Sequence, residues 1–402
     1  MPYLIASTAF LIGGIFIVYW LHNQYQMDIV VEPAPPPTNA PLISVCIPAR
    51  NEERNIRACV EAVLAQDYPN LEVIVLDDRS TDATHEILRK LTLESDSLLS
   101  RQTREQAPVL QIISGSDLLK GWAGKPHALF QASASAQAAK DAWLCFVDAD
   151  TFLSPTTLSS CYSKALETKA DMFTIMTFQI LGSFWEKVVM PLIMTALSVG
   201  FSPRKVNDPT TKDAIANGQF ILIKRSVYDA IGGHESVKDN IVEDKAISEQ
   251  VKWNGYRLIV ADGMKLVRTR MYTSLPEIWE GWTKNIYLGL RDQSSLMALG
   301  VFGAFLTLLV SIFLPAWPLL GVYWHLKGGG WMATAIISES LLLWAYVIYV
   351  RVIIARKIEI SPWYAFTTPL GAGVFGAMMF TSAWKVISRK GVTWKGRVYA
   401  SE

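Results

Sequence analysis

LISVCIPARNEERNIRACVEAVLAQDYPNLEVIVLDD, residues 42–78, sets two short apolar runs on either side of a stretch with helical spacing. Ile56, Val60, Val63 and Leu64 recur at intervals of one helical turn, while LISVCIPA and LEVIVLDD read as buried strands. The alternation continues beyond Asp78. Ser80, Thr81 and Asp82 can cap a helix whose apolar face is Ile87, Leu88 and Leu91. PVLQIIS at 108–114 reads as a third strand, 127–139 as a helix, and the apolar part of WLCFVDADTF at 143–152 as a fourth strand. Strands alternating with helices predict an α/β fold with a mostly parallel sheet, covered on both faces, whose ligand sits at the carboxyl ends of the strands.

Those ends carry the chemistry. Asp148 and Asp150 leave the fourth strand one residue apart, so one edge can present both to a hard, oxygen-seeking ion such as Mg2+ or Mn2+ shared with a diphosphate. After the first strand, IPARNEERN (47–55) offers Arg50, Asn51 and Glu52, where backbone amides and a carboxylate can hold a nucleoside; a helix cap is the plainer reading of the same residues. Asp77 and Asp78 close the second strand, where a carboxylate can accept a hydrogen bond from a uracil-type imide. Lys125, in GWAGKPHAL, precedes a helix and can face phosphate. Glu243 and Asp244 in IVEDKAISEQ open a further helix, where acids also complement the macrodipole. Gly218 in NGQF (217–220) permits close backbone approach to sugar or acceptor, and His234 in GGHES is either a contact to acceptor or phosphate or a structural hydrogen-bonder.

With 402 residues and 51% hydrophobic content, the chain is too apolar for an ordinary soluble enzyme. Residues 3–21 carry no formal charge and are long enough to span a bilayer core of roughly 30 Å as a helix, which predicts an uncleaved anchor over 1–22. A proline-rich linker follows at 23–41, with EPAPPPTNAP favouring stiff extended geometry. The apolar runs 296–324, 331–350 and 363–387 predict C-terminal transmembrane helices within 296–390, followed by a basic tail at 391–402. Basic segments at 351–360 and in the tail cannot share one side if all three runs cross fully. Either 296–324 is a pair broken at Pro315 and Pro318, or the last run does not cross. Residues 271–295 predict an amphipathic helix at the membrane surface, and 183–201, interrupted by Glu186, Lys187 and Pro191, an interfacial or re-entrant segment or a core helix. A net charge of +1 without a dense basic stripe argues against nucleic acid as a partner. Cys46, Cys59, Cys145 and Cys161 have no metal-ligand spacing and read as buried thiols.

The order PARNE, LDDxSTD, GK, DAD and a distant ED resembles family 2 glycosyltransferases of the GT-A fold, over about 42–285. The resemblance implies that the domain 42–270 is a GT-A catalytic domain, with Asp148 and Asp150 holding the metal and the diphosphate. It implies Asp244, with Glu243 in the same motif, as the base, and Pro48, Ala49, Glu52, Asp78 and Lys125 as the lining of the nucleotide pocket. A single base with no second carboxylate nucleophile favours one in-line displacement, hence inversion. The Gln-x-x-Arg-Trp string of processive polysaccharide synthases is absent. The equivalent region, RMYTSLPEIWEGWTKNIYLGL (270–290), offers Trp282 and Lys284 as replacements for its aromatic stack and phosphate cation, although interfacial anchoring also explains its tryptophans. The strings RMY, EGWTKN, IGGHES and the C-terminal WKGRVY are similar to the carotenoid glycosyltransferases that act on diaponeurosporenoate, chlorobactene and myxol.

The implied function is that of an integral membrane protein with a cytosolic catalytic domain. It would transfer a hexose, glucose first, from a UDP-sugar to a lipid acceptor, with Asn217, Gly218, His234, Arg270, Trp282 and Lys284 serving acceptor and diphosphate. A hopanoid, ceramide or diacylglycerol acceptor, a processive exopolysaccharide synthase and a silent nucleotide-sugar-binding scaffold are the rival readings. Nothing in the sequence speaks to oligomeric state.

Overall fold

The computed structural model describes residues 27–99, 109–394 apart from 138, 140, 201, 292 and 293, residues 397–399, and scattered positions between 5 and 19. Contacts divide the chain into two compact units. One is Met27–Ile180 with Phe201–Met271; the other is Leu181–Gly200 with Tyr272–Glu402 and the described positions before 27.

The first unit contains strands β1 (Ile43–Ala49), β2 (Leu71–Asp77), β3 (Val109–Ser114), β4 (Trp143–Phe146), β5 (Thr151–Leu153), β6 (Met172–Met176), β7 (Phe178–Gln179), β8 (Ile221–Lys224), β9 (Leu258–Asp262) and β10 (Val267–Thr269). The main sheet runs β3-β2-β1-β4-β8-β6-β9, and β5-β10-β7 form a small second sheet. β1 pairs in parallel with both β2 and β4, as the alternation predicts, while β8 lies antiparallel between β4 and β6. Because the strand order reverses direction between β1 and β4, the loops leaving these two strands part and open a crevice at their carboxyl ends.

β1 and β2 are almost wholly buried and mostly apolar because both faces are covered. Val45, Ile47, Val73 and Val75 pack on one side with Val60 and Val63 of the helix Ile56–Leu64. Cys46, Ile74 and Leu76 pack on the other with Leu129 and Ala132 of the helix Gly124–Ser135. Each such side chain taken fully from water contributes about 1.5–3 kcal/mol. The four cysteines are buried free thiols, as expected from their placement.

Part of the proline-rich stretch expected as an extended linker is held against the first unit. Val31 is buried and donates its N–H to the Asp262 carbonyl at 2.9 Å, Asp262 donates to the Ile29 carbonyl at 2.8 Å, and Ala34 donates to Ser160 Oγ at 2.9 Å. Ile29 and Val31 here flank the end of the edge strand β9, and Ala34, among the prolines, is tied to the helix Thr157–Glu167. Asn207 protects the same edge, since its Nδ2 donates to the Val260 carbonyl at 2.9 Å and its Oδ1 accepts the Val260 N–H at 2.7 Å.

The second unit holds the helices Phe184–Gly200, Leu275–Arg291, Ser294–Leu326, Gly330–Lys357 and Thr368–Ile387, and a hairpin of β11 (Val392–Trp394) with β12 (Arg397–Tyr399) where a plain tail was expected. Pro315 and Pro318 lie inside one continuous helix rather than breaking a pair. Gly330–Lys357 and Pro362–Ile387 are long and apolar enough to cross a membrane; the anchor expected over 3–21 lies largely outside the described residues. Gly371 lets the helix Thr368–Ile387 meet the helix Phe184–Gly200 closely, because a Cβ there would come 2.5 Å from the Val188 carbonyl.

Asn207→Ala should leave both backbone groups of Val260 unpaired at the sheet edge and destabilise the first unit by ~1–3 kcal/mol. Thermal unfolding of the detergent-solubilised variant against wild type checks this, and an unchanged midpoint would show that the edge does not depend on the side chain.

Candidate active site

Beyond β4 the ladder extends one residue, with Val147 donating to the Cys46 carbonyl at 3.1 Å, and the chain then turns at Asp148. The turn is clamped through the Asp148 carbonyl, which accepts the Thr151 N–H at 3.1 Å and lies 3.5 Å from Cys59 Sγ. This leaves the carboxylate to project from the strand end. Lys125, in the first turn of Gly124–Ser135, places Nζ 2.6 Å from Asp148 Oδ1 and 2.7 Å from Glu243 Oε1. Glu243 and Asp244 open the helix Glu243–Trp253. Asp244 Oδ2 accepts the Gly218 N–H at 3.0 Å and its Oδ1 the Lys245 N–H at 2.8 Å.

Gly218 suits this closeness. A Cβ at that position would lie 3.0 Å from Lys125 Nζ, 3.1 Å from Asp244 Oδ2 and 3.6 Å from Asp148 Oδ2. The crowding shows in the proton affinities. Burial, then the charge of Glu243, pushes Asp244 up to about 6 against the opposing pull of Lys125 and the two amides. For Lys125, burial alone would lower the affinity, but the carboxylates of Asp148, Glu243 and Asp244 outweigh it and hold the ammonium well above the usual lysine range.

His234 completes the pocket. It is buried, with Nδ1 2.8 Å from Tyr228 Oη and its ring edge-on to Phe146 at 4.8 Å. Burial and the Lys125 charge push its pKa down to about 3, so the ring is neutral. Pro48, Lys125, Asp148, Gly218, His234, Glu243 and Asp244 line one small pocket over the apolar floor of Leu129, Phe146 and Ile221.

The remaining expected residues stand elsewhere. Ala49, Arg50, Asn51, Glu52, Asp77 and Asp78 form a second group where β1 and β2 end. The backbone amides expected to bind a nucleoside are already taken: Asn51 N–H by Ser80 Oγ at 3.0 Å and Glu52 N–H by Thr84 Oγ1 at 2.8 Å. Asn51, at φ 54°, returns its side-chain oxygen to the Thr81 N–H at 2.8 Å. Arg50 donates to the Asp78 carbonyl at 2.7 Å, Ala49 accepts the Asp78 N–H at 2.7 Å, and Asp77 Oδ1 accepts the Ser80 N–H at 3.0 Å. These bonds tie the two loops together, so any ligand there is met by side chains rather than amides.

Asp150 stands at the exit of the same turn, where its carbonyl accepts the Thr269 hydroxyl at 3.0 Å. The Asn217 side chain holds the approach to β8, donating to the Ile175 carbonyl at 3.0 Å. Arg270 closes the first unit, whereas Trp282 and Lys284 belong to the second. Trp282 is 8% exposed and packs with Val189, Ile278 and Met378, inside its unit rather than on a surface. Its indole N–H has no hydrogen-bond partner among the described residues.

Sequence reasoning missed Tyr228 and Ser133, which stand behind His234. One signal was available. Gly232 and Gly233 have φ of 78° and 51°, and a Cβ on Gly233 would meet the Tyr228 ring at 2.6 Å, so the glycine pair before His234 marks a close approach.

Among the described residues no three His, Cys, Asp or Glu side chains form a complete metal site. An ion of the Mg2+ or Mn2+ type commonly takes only one or two carboxylates and completes its shell with substrate phosphates. The Asp148 side chain, 26% exposed at the strand end, is such a carboxylate, with Lys125 paired to its Oδ1.

The profile of the family described as Glycosyltransferase like family 2 matches residues 40–280. The chain is 26% identical over 370 residues to the 4,4'-diaponeurosporenoate glycosyltransferase of Staphylococcus aureus strain USA300, covering 90% of this chain and 89% of that protein. The same figures hold for strain MRSA252. Among solved structures, it is similar to the mannosyltransferase PcManGT from Pyrobaculum calidifontis in complex with GDP-Man and Mn2+, with a TM-score of 0.51 and 17% identity over 96% of this chain and 97% of that one.

Lys125→Met removes the cation among three acids. Asp244 already binds its proton more tightly folded than unfolded, and losing Lys125 strengthens that preference, so stability is lost as pH rises from about 4 through its folded pKa. The variant should be weakened more at pH 8 than at pH 5, the difference being about 1–3 kcal/mol, a discounted figure because the Lys125 side chain is 35% exposed. Thermal unfolding at the two pH values checks it; equal losses at both would show that the ammonium does not neutralise the acids.

Proposed function

The chain belongs to the family 2 glycosyltransferases and has their GT-A fold, and on that premise we propose that it transfers glucose from a UDP-sugar to a hydroxyl or carboxyl group of a carotenoid or related polyisoprenoid lipid at a membrane. The observation that carries the reading is the meeting of Lys125, Asp148, Glu243 and Asp244 at the carboxyl ends of the sheet. The carotenoid acceptor is supported by a relative matching 90% of the chain whose name states that activity, and the membrane by the two long apolar helices.

Asp244 is the base. Two backbone amides orient its carboxylate, and a pKa near 6 leaves it ionised at neutral pH yet basic enough to take a proton from an acceptor hydroxyl. Glu243 holds Lys125, whose ammonium stands beside Asp148 to meet the phosphates of the donor. Asp148 and Asp150 would hold a divalent cation, Mn2+ or Mg2+, which when bound offsets the charge of the departing diphosphate. One base with no second carboxylate nucleophile gives a single displacement and inversion at the sugar carbon. The lipid acceptor and the UDP-sugar are the partners of this reading, with the catalytic unit on the cytosolic side.

The test is incubation of the detergent-solubilised chain with radiolabelled UDP-glucose, Mn2+ and a carotenoid-containing membrane extract, followed by thin-layer separation. A labelled pigment band is expected, reduced by roughly 10²–10⁴-fold in Asp244→Asn with folding intact, as loss of a general base predicts. Asp150→Ala should fall by orders of magnitude as well. Because Asp244 carries its proton below about 6, kcat/KM should rise as pH passes that value and level off above it. A labelled colourless lipid would replace the acceptor, and no label at all would overturn the reading.

A further inference from the structure

The polar chain behind His234 sets which of its ring atoms faces the pocket and with what character. Ser133 Oγ donates to the Phe130 carbonyl at 3.0 Å and lies 2.9 Å from Tyr228 Oη. With the Ser133 proton used in this way, Tyr228 donates to Ser133 and keeps its lone pairs for His234. It accepts the backbone N–H of His234 at 3.1 Å and lies 2.8 Å from Nδ1. The ring proton then resides on Nδ1, which leaves Nε2 an acceptor.

Phe146 packs against the ring edge, so the imidazole is held on that side as well. Nε2 has no hydrogen-bond partner among the described residues, and the ring lines the pocket with Lys125, Asp148 and Asp244. The pocket has room for little more than one oxygen atom. Its charge decides what that oxygen belongs to. The bare acceptor nitrogen of His234, with the Asp244 carboxylate lining the same pocket, disfavours a phosphate oxygen beside the ring, whereas a neutral hydroxyl can donate to Nε2.

We infer that this pocket receives one hydroxyl group of the sugar being transferred, that His234 Nε2 accepts its hydrogen bond, and that Tyr228 is the positioning residue that keeps Nε2 an acceptor. The inference rests on the nucleotide-sugar reading above and adds a determinant of donor choice to it. A sugar whose hydroxyl at that carbon points the other way leaves Nε2 without that donor in a buried site.

The test is a cycle between enzyme and donor. kcat/KM is measured for the full-length wild type, His234→Ala and Tyr228→Phe with UDP-glucose and its 2-, 3-, 4- and 6-deoxy analogues. One deoxy analogue should cost the wild type roughly fivefold to tenfold, the worth of one hydrogen bond, and cost His234→Ala nothing further. In Tyr228→Phe, which keeps the ring packing and carries the test if His234→Ala does not fold, the same penalty should fall by at least half. A merely structural role would lower every donor by one common factor. If each analogue loses the same factor in all three proteins, the pocket holds something other than a sugar hydroxyl and the inference fails alone. If the wild type transfers nothing from UDP-glucose, the reading beneath it fails too.

Discussion

Three carboxylates, Asp148, Glu243 and Asp244, stand where only a shared cation makes their company tolerable. At 4 Å, two like charges cost about 4 kcal/mol in surroundings of intermediate polarity, so such a site would push itself apart without Lys125. The ammonium lies within 2.7 Å of both Asp148 and Glu243 and lowers the proton affinity of Asp244 as well. Its position depends on the helix Gly124–Ser135 packing under β1 and β2 through Leu129 and Ala132. The hydrophobic core therefore acts on the chemistry through the place where one helix begins. Glu243 and Asp244 also open a helix, whose unpaired amides and dipole favour negative charge.

A second consequence follows for the loops after β1 and β2. Their amides and polar side chains are used on each other, with Asn51 donating its N–H to Ser80 and accepting the Thr81 N–H across the gap, and Glu52 fixed by Thr84. Bonds of this kind cannot also bind a ligand through the same atoms, but they hold the buried acids Asp77 and Asp78 in one geometry before any ligand arrives. Rigid walls beside the crevice matter more to a transferase than extra contacts, because the donor must be presented to the acceptor in a narrow range of orientations.

The acid motifs were legible in the sequence because a parallel sheet collects its strand ends, so residues that terminate separate apolar runs come together. Lys125, Asp148, Glu243 and Asp244 meet for that reason. What side chains do across long separations was not legible: Ser133 and Tyr228 are 95 residues apart and carry no common pattern. Periodicity placed Trp282 on an amphipathic stretch but could not say that its face turns inward against Val189 and Met378. Prolines left more than one course open. Those at 33–37 favour extended chain, which is as compatible with a packed strap as with a free spacer. Pro315 and Pro318 do not end the helix Ser294–Leu326, since apolar helices of this length can re-satisfy the backbone groups a proline leaves.

The strand that breaks the parallel pattern explains why Gly218 stands where it does. In an all-parallel sheet, every neighbour of β4 would present its carboxyl end beside Asp148, and the crevice would be bordered only by chain leaving strands. β8 runs the other way, with Ile221 opposite Phe146, so the residues entering β8 lie beside the residues leaving β4. This brings the Gly218 amide, a hydrogen-bond donor, to the edge of an acidic cluster, where it takes Asp244 Oδ2. A side chain at 218 would crowd Lys125 and Asp244, so a residue that brings backbone alone suits this position. The reversal of a single strand thus supplies the site with a fixed donor that needs no charge, and leaves the one cation free to be shared among the acids.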